Sequence, residues 1–129
     1  MGWSVSYRQN GSDVVKHTFA WTSAADGSAT VASSIAVSGK IERVAFVPSA
    51  SVAPTNLYDL TLTDSDGFDC LAGQGANLSD TAKSHVCPGL PLKDGTTTAD
   101  YPITVDSVLT LNVTNAGDSK AGTVIVYVR

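Results

Sequence analysis

The run Val108-Leu-Thr-Leu-Asn-Val-Thr114, Asn115-Ala-Gly-Asp-Ser-Lys120, Ala121-Gly-Thr-Val-Ile-Val-Tyr-Val-Arg129 decides how the chain is read. Leu109, Leu111 and Val113 alternate with Thr110, Asn112 and Thr114, the period of two of a half-buried strand. Val124, Val126 and Val128 alternate with Thr123, Ile125 and Tyr127, so the second run is apolar on both faces. Asn, Gly, Asp and Ser between them accept tight or left-handed turns. The pattern predicts an antiparallel hairpin whose second strand lies deep in a sheet.

Working back from that run, the same signals recur. Trp3, Val5 and Tyr7 alternate with Ser4, Ser6 and Arg8. Asn10-Gly11 is a two-residue turn signal, and Val15, His17, Phe19 and Trp21 then share one face. Residues 1–21 therefore read as an N-terminal hairpin. Residues 22–39 are small and polar, with a weak strand or extended loop through Val31, Ile35 and Val37. Residues 40–47 form a clear strand with Ile41, Val44, Phe46 and Val47 apolar, ended by Pro48. Residues 57–63 form another, Leu60 and Leu62 inward and Asp59, Thr61 and Thr63 outward. Asp64-Ser-Asp-Gly67 turns the chain, and Phe68-Asp-Cys-Leu71 starts a returning strand. Residues 73–83 are a polar connection with room for a helical turn capped by Asn77 or Ser79. His85-Val-Cys87 is a short strand, residues 88–101 a loop, and Ile103 and Val105 lead into the final run. Eight to ten short strands with turns every 8–12 residues or so predict an all-β, antiparallel, jelly-roll-like sandwich with little helix. The 129 residues, without linker or repeat, read as one domain, 1–129.

Composition narrows the function. Charged residues make up 16% of the chain, against about 25% in ordinary globular domains. The net charge of −4 and the scattered Lys and Arg exclude the basic stripe a nucleic-acid binder needs. No stretch approaches the roughly 20 apolar residues of a membrane helix. Met1-Gly-Trp-Ser4 offers neither basic nor apolar leader character, so synthesis and retention in a cytoplasm are expected unless the chain leaves within a larger assembly.

The sequence points to no catalytic, cofactor-binding or metal-binding residue. Asp64-x-Asp66-Gly67-x-Asp69 opens like an EF-hand loop, but its twelfth position is Gly75 and its flanks are strands, so a turn rich in Asp is expected. Gly73-x-Gly75 lacks the remainder of a phosphate loop. Ser84, His85 and Asp80 invite a triad reading, yet neighbours on a strand face opposite ways. His17 reads as a packed or rim histidine. Cys70 and Cys87, too few for a zinc site, read as buried free thiols. Asn77-Leu-Ser79 and Asn112-Val-Thr114 match the glycosylation sequon by chance.

Two segments carry a resemblance. One is Ile41-Glu-Arg-Val-Ala-Phe-Val-Pro-Ser-Ala-Ser-Val-Ala-Pro-Thr-Asn-Leu-Tyr-Asp-Leu-Thr-Leu-Thr-Asp-Ser-Asp-Gly-Phe-Asp69 with Gly73-Gln-Gly-Ala-Asn-Leu-Ser79. The other runs from Pro102-Ile-Thr-Val-Asp106 to Val126-Tyr127. Over residues 35–129 the chain resembles the small decoration, or cement, proteins of tailed-bacteriophage capsids. The resemblance implies a β-sandwich or jelly roll, a homodimer or homotrimer bound to the major capsid protein on the virion surface, and no enzyme activity or cofactor. Trp3, Tyr7 and Trp21 are then candidates for subunit or shell contact, with core packing the competing role. A tail or baseplate component, or a carbohydrate- or receptor-binding module, is the alternative, and an aromatic-lined groove would favour it. A small hydrolase would need His17 or His85 beside a carboxylate in a deep pocket.

Overall fold

The computed structural model describes residues 2–7, 13–91 and 98–129. Among these there is no helix, and eleven strands follow one another: β1 (Gly2–Tyr7), β2 (Val15–Thr22), β3 (Ala29–Ala32), β4 (Val37–Pro48), β5 (Asp59–Thr63), β6 (Ser84–Val86), β7 (Gly89–Pro91), β8 (Thr98–Pro102), β9 (Thr104–Ser107), β10 (Thr110–Thr114) and β11 (Ala121–Val128). The large sheet runs β1-β2-β11-β4-β6, with β9 paired to the first part of β4. The small sheet runs β3-β10-β5, and every named pairing is antiparallel.

Connectivity makes this a jelly roll. From β2 the chain crosses to the small sheet at β3, back at β4, across at β5 and back at β6. It crosses twice more, from β9 to β10 and from β10 to β11. Two sheets so wrapped must share one core, because each strand buries a single row of side chains. The large sheet contributes Phe19, Trp21, Ile41, Val44, Phe46, Val124 and Val126; the small sheet contributes Val31, Leu60, Leu62, Leu111 and Val113. All are buried.

The final run is therefore not a hairpin. Its second strand does lie deep in a sheet: β11 is hydrogen-bonded to β2 on one side and β4 on the other. Its first strand belongs to the opposite sheet, where β10 pairs with β3 and β5. Residues 115–120 form an arch between layers, fastened to the arch between β2 and β3. Ser23, itself buried, accepts the Lys120 amide at 2.8 Å. The Ser23 amide donates to the Lys120 carbonyl at 2.7 Å, and the Ala116 amide to the Gly27 carbonyl at 3.1 Å.

Other expectations shift for local reasons. The N-terminal hairpin forms, with Trp3 opposite Phe19 and Val5 opposite His17; its Asn10-Gly11 turn lies outside the described residues. The weak strand of residues 22–39 splits: Val31 is buried in β3, Val37 begins β4, and Ile35 is exposed. The returning strand at Phe68 reduces to a single bridge, Thr63 to Asp69. The Asp69 carboxylate takes the amides of Leu62, Leu71 and Gly73 at 3.0–3.1 Å. A side chain so supplies the acceptors a ladder would have supplied. Residues 73–83 hold turns rather than helix; the Ser79 hydroxyl accepts the Thr81 and Ala82 amides. The expected loop of residues 88–101 contains β7 and most of β8, paired Gly89 to Pro102 and Pro91 to Thr98; Gly95 and the threonines at 96 and 97 lie outside the described residues.

Candidate interaction faces

Register fixes which side chains leave the large sheet on its outer side. Thr123 of β11 stands between Ala20 of β2 and Val47 of β4. Ile125 stands between Thr18 and Ala45, and Tyr127 between Lys16 and Arg43. Ala45 in turn neighbours His85 of β6. Paired residues share a face, so these rows form one continuous surface, on the side away from the core. Its centre (Ala45, Val47, Ile125) is apolar and its margin carries Lys16, Arg43, Lys83 and His85. Ala45 is buried, Ile125, Tyr127 and Val47 are half-buried, and Lys16, Arg43 and Lys83 are exposed. The Arg43 guanidinium lies 4.6 Å above the Tyr127 ring centre, close enough for cation–π attraction. A depression of about 170 Å³ opens among Arg43, Ala45, Lys83, His85, Ile125 and Tyr127.

The small sheet turns a different face outward. Thr30, Thr61, Thr110 and Asn112 fall in adjacent rows on it, and the Asn112 amide donates to the Thr110 carbonyl and the Thr63 hydroxyl. It is a hydroxyl-rich surface without an apolar centre.

A groove of about 530 Å³ lies at one end of the sandwich, lined by Asp64, Phe68, Cys70, Ala72, Leu90 and Ile103. Phe68 is 71% exposed beside it. Its carboxylates are engaged: Asp64 accepts the amides of Asp66 and Phe68 at 3.0 Å, and Asp69 holds the three amides described above. The EF-hand-like run is thus a turn closed by its own backbone. Among the described residues no group of three or more His, Cys, Asp or Glu stands together as a metal site would require. Cys70 is buried and its thiol is pushed up to about 12 by burial, with Asp64 and Asp69 adding to it. Cys87 departs from expectation: it is exposed, just past the end of the short edge strand β6. Both thiols are free.

Within Gly73-x-Gly75, it is Gly75 that lies tight against neighbouring backbone. The Gly75 carbonyl accepts the Leu60 amide at 2.7 Å, and a Cβ on Gly75 would collide with the Leu60 carbonyl and the Leu71 side chain. Close packing against β5 explains a glycine there.

The histidines are far from triad geometry. His85 faces outward in a depression lined by Arg43 and Lys83, with no carboxylate in it. His17 is buried and stacks on Trp3, ring centres 5.8 Å apart. Its Nδ1 accepts the Trp3 indole N–H at 3.3 Å. Of the three aromatic contact candidates, Trp21 is core, Trp3 is half-buried on His17, and Tyr7 is 61% exposed.

Burial lowers the His17 pKa from its ordinary 6.5. The unfolded chain then binds the extra proton first. The stability tied to neutral His17 is complete above pH 6.5 and declines as pH falls toward the lower folded value. Urea midpoints at pH 7.5 and 5.5 are expected to differ more in the wild type than in His17→Asn, which keeps an acceptor for Trp3 and does not titrate. Equal differences would show that His17 contributes nothing to the pH response.

No protein-family model matches the chain, and no curated protein matches it at a significant level. What the fold defines is a class: an all-β, sandwich-like domain of antiparallel strands.

Sequence reasoning missed the outer face of the large sheet. Its signal was present in Thr123, Ile125 and Tyr127, the second apolar row of β11.

Proposed function

We propose that the chain is a structural virion protein that binds the outer surface of a bacteriophage capsid and stabilises it. One observation carries this reading: the large sheet turns a continuous face with Val47 and Ile125 at its centre outward, while its inner face is packed into the core. Such a patch on an otherwise well-buried domain is the usual mark of an interaction surface. The resemblance over residues 35–129 supplies the partner class, the major capsid protein, and self-association as a dimer or trimer. Copies that bind only the assembled shell stabilise it against dissociation by mass action. Repetition on a symmetric lattice lets modest contacts add.

Cosedimentation with intact heads, and separately with free coat subunits, tests this. Saturable binding to heads alone, together with a raised temperature of head disruption, is the expected result. Equal binding to both, or binding to neither, overturns it.

Phe68, exposed beside the apolar groove, favours a second reading, a carbohydrate- or receptor-binding module. Saturable glycan binding that Phe68→Ala abolishes would establish it.

A further inference from the structure

We infer that the outer face of the large sheet docks onto an acidic protein surface with an apolar centre of its own. The inference rests on reading the chain as a surface-binding protein, and it names the chemistry of what this face takes.

Charge complementarity decides the occupant. The chain carries net charge −4, yet Lys16, Arg43 and Lys83 all gather at this face. Glu42, at its far end, is engaged by Arg129 at 3.6 Å. None of the side chains that the register places on the face between Ala20 and His85 is acidic. A second copy docked face to face about a two-fold axis would set this cationic margin against itself, and like charges across an interface disfavour pairing. The occupant is therefore a different, acidic surface.

The apolar centre argues for protein rather than nucleic acid. Phosphate backbones are held by rows of cations. Here Ala45, Val47 and Ile125 occupy the middle and cations stand only at the margin, the layout of an apolar interface core within a polar rim. Arg43 suits the rim: resting on Tyr127 orders its guanidinium, and among the described residues no carboxylate is paired with it.

Two probes separate this inference from the function it rests on. The first is immobilised poly(Glu-Tyr), an acidic and aromatic polymer, beside polyglutamate and duplex DNA. Wild-type chain should bind poly(Glu-Tyr) at least about tenfold more tightly than either other polymer, and Arg43→Glu/Lys83→Glu should lose at least about tenfold of that binding. Thr30→Glu/Thr61→Glu, on the opposite face, should stay within about twofold of wild type. The second probe is intact phage heads with the same variants. Poly(Glu-Tyr) binding lost in the Arg43/Lys83 variant supports the face even when heads are not bound, and in that case only the capsid reading fails. Binding that survives the charge reversal on either probe, wild-type failure to bind poly(Glu-Tyr), or equal affinity for DNA overturns the inference.

Discussion

Trp21→Ala is expected to cost about 3–5 kcal/mol, the range for removing a large buried aromatic side chain. Trp21 is 2% exposed and reaches across the core. Its ring lies against Tyr58, centres 5.7 Å apart, and sits over Gly122 of the neighbouring strand. A Cβ on Gly122 would stand 2.7 Å from the indole, so glycine at 122 leaves the space the ring occupies. One indole atom opposes this gain. The Trp21 Nε1–H is buried and finds no acceptor among the described residues, and an unsatisfied buried donor costs about 1–3 kcal/mol. Trp21→Phe keeps most of the packing and removes the orphaned donor, so its cost should fall to about 1 kcal/mol or less. Urea midpoints with unchanged slope measure both. If phenylalanine costs as much as alanine, the unpaired donor is not part of the balance and ring size alone governs the site.

Leu111→Ala is expected to lower stability by about 2–5 kcal/mol, and Ile125→Ala by well under half of that. Leu111 is fully buried on the inner face of the small sheet. Ile125 stands half-buried on the outer face of the large one. The contrast tests whether the outer face of β11 lies open while the inner face of β10 meets the core. Comparable losses at the two positions would mean that the outer face of β11 is covered, contrary to this structure.

Period-two alternation was legible wherever one face of a strand meets the core, and the apolar rows of Leu60 and Leu62 and of Leu109, Leu111 and Val113 are buried as expected, while the shared face of Phe19 and Trp21 proves to be the core face. Strand ends were less legible where side chains substitute for the ladder. Asp69 stops the returning strand by accepting three amides, a choice made by geometry that composition does not reveal. Cys87 shows the same limit. A thiol beside Val86 reads as core, but Val86 packs against the core while Cys87, one residue beyond the end of β6, is exposed.

The second apolar row of β11 is the most instructive case. Val124, Val126 and Val128 meet the core, and with Ile125 between them the strand reads as apolar on both faces and deep in a sheet. The strand is central, but its outer row is sheltered only by neighbours within the sheet. Sequence alone determined that the chain is all-β, that it forms a sandwich, and which row of β5 and β10 faces inward, because burial and pleat act between adjacent residues. Tertiary structure decided which strands pair, that the last two belong to different layers, and which row of β11 faces away from the core. Those outcomes depend on contacts between residues far apart in the chain, and no local pattern encodes them.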